Sequence, residues 1–206
     1  MQTFKLQVED LIGRTISDTS GLNDMLTATA WEDVDRLPKD VLIRHATVTQ
    51  VTSNPTSIHD KRILSISRNG YYANEKPFSA SGPLSDSGSI YYADAVNKKD
   101  PVFYFKGKDL VILPAPGSGE EGEILSYTYP TIAHSDSAIS DFPSAAEYAV
   151  TLGAAAKFMM KLASEDQNNE DIELATNTAS FAQQLKIEYE KELQRIVEQK
   201  WRKNKW

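Results

Sequence analysis

The chain has 206 residues, of which 40% are apolar and none is cysteine, and its formal charge is −7. That length is enough for a domain with a real core, while the missing cysteines exclude disulfide staples, zinc–thiolate sites and cysteine nucleophiles, as fits assembly in a reducing cytoplasm. The charge is unevenly spread: Lys200-Trp-Arg-Lys-Asn-Lys-Trp206 holds four cations and no acid, and taking these four from −7 leaves −11 for residues 1–199. The body therefore repels nucleic acid, and only the tail can attract a phosphate or an acidic protein surface.

The opening MQTFKLQVEDLIG lacks the basic start and apolar run of a secretory signal, and no stretch has the apolar length of a membrane span, so a soluble product with no membrane partner is expected. Leu6, Val8, Leu11, Ile12 and Ile16 recur near a helical period and predict a helix over 5–17. Residues 22–35 are expected to add a helical turn or two. Leu37-Pro38 imposes extended backbone, and the Val, Ile and Thr of 41–51 predict a strand, opening a β region over 40–130. Lys61–Ser67 (KRILSIS) reads as another strand, closed by Arg68-Asn69-Gly70 with its Asn-Gly turn signal.

Residues 78–89 carry Ser, Gly, Pro and Asp and almost no apolar side chain, which predicts an exposed loop. Strands are then expected over 89–96, 101–106, 110–113 and 123–129. Phe103 and Phe105 alternate with Tyr104, and Lys106-Gly107-Lys108-Asp109 reverses the chain into Leu110–Leu113, so these two strands form a β-hairpin closed by Pro114 and Pro116. Pro116–Gly122 is the loop before the last strand.

From Ser144 the composition turns to Ala, Leu, Lys, Glu and Gln, all good helix formers, with Pro143 where a first-turn proline is tolerated. Helices are predicted over 143–164 and 171–199. Ala149, Leu152, Gly153, Ala156, Met160 and Ala163 share a face of the first, whose small residues admit a close neighbour. Ile172, Ala175, Ala179, Ala182, Leu185, Tyr189, Leu193 and Ile196 mark a stripe on the second. At ~1.5 Å per residue a helix over 171–200 spans roughly 45 Å, and its distal half is expected to project from the body. The expected class is α+β: an N-terminal helix, a central antiparallel β region with long loops, and a C-terminal helical pair with an extended last helix. It reads as one domain over 1–199 followed by a basic, tryptophan-containing tail over 200–206.

Catalytic, cofactor and metal sites are not expected. His45, His59 and His134 are scattered without a His-x-x-x-His or Glu-x-x-His pairing and read as ordinary loop or surface histidines. Gly117, Gly119 and Gly122 lack the Gly-Lys-Ser/Thr ending of a phosphate loop, and two glutamates stand where phosphate would sit. The acidic runs Trp31–Asp35 and Glu165–Asp171 have no calcium-loop spacing and read as solvated helix ends. Ser118 and Ser126 lie in no Gly-x-Ser-x-Gly elbow. The feature that surface solvation explains poorly is the C-terminal segment, where Leu193, Ile196, Val197, Trp201 and Trp206 stand beside Arg195, Lys200, Arg202, Lys203 and Lys205. Tryptophan and arginine are enriched at interface hot spots. Alternatively Trp201 folds back on the body while the cations complement the helix dipole.

Phe103-x-Phe105-x-Gly107, Leu113-Pro114-Ala115-Pro116, Tyr127-x-Tyr129-Pro130, and Phe142-Pro143 followed by Ala154-Ala155-Ala156 come in an order that resembles the head-to-tail adaptor (connector, neck) proteins of tailed bacteriophages. The resemblance covers the chain from about Leu6 onward, with the β region enlarged at 54–74 and 77–89. It implies a structural virion protein with no enzymatic role, assembled in the host cytoplasm, which forms a ring of identical subunits, commonly twelve, under the portal protein. It also implies a tail or tail-terminator partner on the far side and DNA passing through the lumen without specific binding. The last helix would dock into the portal through Leu193, Ile196, Val197, Trp201, Arg202, Lys203, Lys205 and Trp206. Two rival readings remain: a nucleic-acid-binding protein using the basic tail, and a tail-associated carbohydrate-active enzyme using paired carboxylates.

Overall fold

In the computed structural model the described residues are 2–76, 99–117, 119–169 and 171–203, the last five as backbone alone. The chain has mixed α+β content: helices at the N-terminus, largely antiparallel sheets in the middle, and two C-terminal helices of which the last is long. It divides into two compact units, a helical one made from residues 1–45 and 129–206 and a β unit of residues 46–128.

In the helical unit, α1 (Phe4–Ile12) buries Phe4, Val8 and Ile12. It stops five residues before the predicted end, because Gly13 takes up φ +66° and its N–H closes on the Glu9 carbonyl. A glycine in this left-handed conformation ends a helix without the Cβ clash other residues meet there. Helix α2 (Thr19–Arg36) begins at Asp18, whose carboxylate accepts from the Gly21 N–H at 2.8 Å. Its 18 residues replace the turn or two expected, and it buries Leu22, Leu26, Thr29, Ala30, Asp33 and Val34. Residues 41–45, the first part of the strand predicted over 41–51, instead belong to a short helix α3 (Lys39–Leu42) and a 3-10 turn (Ile43–His45). Pro38 stands at the N-cap of α3 with Asp40 in its first turn, and both favour helix over the β-branched content that suggested a strand.

Helix α4 (Ser144–Asn168) is the centre of this unit. It packs against α1, α2 and α5 (Ile172–Lys203), and so is buried almost all round through Ala146, Ala149–Ala156, Phe158 and Met159. Met160, expected on the buried face, is exposed. The connection to α5 is three residues long. Asn169 and Asp171 bond back to Asp166, and Asp171 accepts from Leu174 N–H at 3.1 Å as the cap of α5.

Among the described residues the β unit holds two four-stranded sheets. One has the order β1 (Thr47–Val51), β8 (Gly122–Thr128), β3 (Lys61–Arg68), β4 (Tyr71–Tyr72), and the other β2 (Thr56–Ser57), β7 (Asp109–Leu113), β6 (Val102–Lys106), β5 (Asn74–Glu75). Val51, Ile66 and Ile124 of the first sheet and Leu110 and Ile112 of the second share one core. The predicted hairpin is present, with Lys106 opposite Asp109 and Val102 opposite Leu113. Asn69 and Gly70 turn β3 into β4 with φ of 49° and 79°, the two positive values a type I′ turn needs. Gly70 has open space where a Cβ would go. Gly70→Ala is therefore expected to lower stability by about 1 kcal/mol from backbone conformation alone, seen as a lower urea midpoint with an unchanged slope. The predicted strand over 89–96 and the loop over 78–89 lie outside the described residues.

Candidate functional site

The stripe of α5 decides how much of the C-terminal segment is free to meet a partner. Ala175, Thr178, Ala182, Leu185, Tyr189, Leu193 and Ile196 are all buried, at the spacing of one helical face. Two of the predicted stripe positions shift: Ile172 is 73% exposed, and Thr178 takes the inward place expected of Ala179. The Thr178 hydroxyl is satisfied at that place by Asp166 Oδ2 at 3.2 Å.

Thr178 meets Asp166 and Tyr189 lies against Gly153, an antiparallel register that sets Ile196 level with the first turn of α4. As far as Ile196, therefore, α5 does not project. Leu193 and Ile196, predicted as partner-binding, are sealed within the helical unit at 3% and 7% exposure. Val197 is half-buried beside Leu37, Leu193 and the Arg36–Glu190 pair in a surface groove. Beyond Ile196 the helix runs on to Lys203, about 10 Å at the helical rise. Trp201, Arg202 and Lys203 are on this last stretch, while Lys205 and Trp206 lie outside the described residues.

Sequence reasoning missed the polar crossing that seats α5. Gly153 is where α2, α4 and α5 meet: a Cβ there would stand 2.4 Å from Thr29 Cγ2 and 3.1 Å from Tyr189 Cε2. The Tyr189 hydroxyl donates to Asp33 Oδ1 at 2.5 Å. Arg36 lies with its guanidinium carbon 5.6 Å from the centre of the Tyr189 ring and forks onto both carboxylate oxygens of Glu190. That pair holds the Glu190 carboxyl below its usual range and the guanidinium above its own. Desolvation raises the Tyr189 hydroxyl well above a free tyrosine.

The acidic run Trp31–Asp35 is thus only partly a solvated surface. Glu32 pairs with Lys157 at 2.8 Å and Asp35 accepts from Tyr129 at 2.5 Å, but Asp33 is fully buried. Trp31, 40% exposed, donates its indole N–H to the Pro130 carbonyl at 2.7 Å.

The His134 backbone N–H donates to Asn23 Oδ1 at 2.6 Å and its carbonyl accepts from the Lys5 N–H at 2.9 Å, which helps pin the strap over 129–136 to α2 and α1. His45 is half-buried in the 3-10 turn and His59 is exposed in a loop of the β unit. Among the described residues no three His, Cys, Asp or Glu side chains come together as a metal site. In the glycine-rich loop, Glu120 bonds the buried Arg68 guanidinium at 2.8 Å and the Ala115 carbonyl accepts from the same nitrogen at 3.1 Å. Ser126 is buried on β8 and Ser118 lies outside the described residues. No protein-family model matches the chain, and no curated protein does.

Proposed function

We propose that this chain is a head-to-tail adaptor of a tailed bacteriophage, a structural protein of the virion neck rather than an enzyme, which forms a ring of about twelve copies beneath the portal protein and joins it to a tail component. The observation that carries this reading is the end of α5. Ile196 is the last buried position described on α5, and the helix continues to Lys203 through a sequence that sets Trp201 among the three cations Lys200, Arg202 and Lys203. An aromatic anchor flanked by positive charge suits a partly acidic groove between portal subunits. The acidic remainder of the chain suits a lumen through which DNA slides without being held.

The docking residues narrow accordingly from those first expected. Trp201, Arg202, Lys203, Lys205 and Trp206 carry the contact, with Val197 at its margin, while Leu193 and Ile196 hold α5 to its own unit. A chain ending at Gln199 is expected to stay folded and to lose at least tenfold in affinity for assembled portal rings, measured by cosedimentation and by cryo-electron microscopy of the mixture. Undiminished attachment would count against the anchor. Salt-dependent binding of DNA by the isolated full chain, lost on the same truncation, would favour the nucleic-acid reading.

A further inference from the structure

A carboxylic acid is sealed at the crossing that seats α5. Asp33 is 0% exposed; its Oδ1 accepts from Tyr189, and no hydrogen-bond donor reaches its Oδ2. The charged groups acting on it are Glu32 and the two cations Arg36 of α2 and Lys157 of α4, while Lys186 and Glu190 of α5 line the pocket beside Tyr189. Both cations are engaged elsewhere, Arg36 with Glu190 and Lys157 with Glu32. Ionised, Asp33 would hold a charge on an oxygen without a donor, away from water, whereas the neutral acid leaves no charge to solvate.

We propose that Asp33 and Tyr189 form a proton-held latch, in which α5 is closed on α2 while Asp33 carries a proton and loosens when that proton leaves. The latch does not depend on what the chain docks to. Burial pushes the Asp33 carboxyl up to about 7; the Tyr189 hydrogen bond, Arg36 and Lys157 pull it down, and Glu32 adds to the rise. Freed by opening, the same carboxyl returns toward 3.8. Between these values the closed state binds the extra proton, so opening becomes about tenfold more favourable per pH unit as pH rises to about 7 and then levels off. Asp18 and Glu190, held low by Lys161 and Arg36, act in the opposite direction and at lower pH, which leaves pH 5–7 as the diagnostic window.

Amide hydrogen exchange on the full chain tests this. After correction for intrinsic rates, protection of the α5 amides over 185–196 is expected to fall about a hundredfold from pH 5 to pH 7 and to be flat in Asp33→Asn, which keeps the acceptor for Tyr189 without a titrating proton. Carbon-13 NMR of the Asp33 carboxyl in the unmodified protein provides a reading that needs no variant. Its midpoint is expected near 7, and to move upward in Tyr189→Phe, because the hydroxyl stabilises the anion. An Asp33 carboxyl that titrates in the ordinary aspartate range, or one pH slope shared by the wild type and Asp33→Asn, overturns the latch.

Discussion

Gly153→Val is expected to destabilise the helical unit by about 3 kcal/mol, at the upper end of what overpacking a core usually costs. Its first added carbon would meet Thr29 Cγ2 at 2.4 Å, a distance real carbon atoms do not adopt, and Thr29 has little freedom to retreat. The threonine is fully buried, is stiff at χ1 because it is β-branched, and donates its hydroxyl to the Met25 carbonyl at 2.7 Å. Tyr189 on the other side is fixed by Asp33. Gly153→Ala meets the same contact with a smaller group and recovers about 1 kcal/mol of helix propensity, so its net loss should be nearer 1 kcal/mol.

The cause can be separated from a general intolerance of change in α4. Thr29→Ser removes the obstructing methyl and keeps the hydroxyl bond. In a double-mutant cycle with Gly153→Ala, read from urea midpoints, it should return a favourable coupling of about 1 kcal/mol. Additive effects would show that the crossing does not turn on this one contact.

The same crossing marks the limit of what the sequence makes legible. The class and element order follow from pattern: the hairpin from its alternating aromatics and tight reversal, the β3–β4 turn from Asn-Gly, the C-terminal pair from its composition. Helix α2 is underread because two of its inward positions are polar. Thr29 and Asp33 interrupt the run Leu22, Leu26, Ala30, Val34, and an apolar period diluted in this way no longer outweighs the turn-like Gly21-Leu-Asn-Asp24. Residues 41–45 mislead in the other direction, since β-branched content is a weaker instruction than a proline N-cap followed by an acid. At the far end of α4, Ser164–Asn168 read as a break although Glu165 and Gln167 propagate a helix well, and only Thr178 reaching back to Asp166 shows what that last turn is for.

Asp33 itself is invisible to local reading. Its partner Tyr189 lies 156 residues away, and an acid in an exposed-looking run gives no sign that three helices close over it. The C-terminal segment fails for a related reason: a stripe long enough to overrun a domain looks like an arm until its partner helix is seen to be 25 residues long and to run beside it.

That burial separates two sets of side chains which the sequence places in a single docking list. Leu193→Ala is expected to cost 2–5 kcal/mol of stability, because the side chain is 3% exposed and its removal leaves a cavity in the seat of α5. Truncation after Gln199 should change stability by less than about 0.5 kcal/mol, since every buried side chain described on α5 lies at Ile196 or before it. If the chain is the proposed adaptor, portal capture is expected to reverse the order. The truncated chain should fail while melting normally. Leu193→Ala should bind in proportion to the fraction that remains folded, and should recover at lower temperature or on addition of a stabilising osmolyte. Thermal melting and cosedimentation performed on both variants therefore test the assignment of roles within α5. A Leu193→Ala chain that is fully folded yet cannot join the ring would place the docking surface back on the stripe.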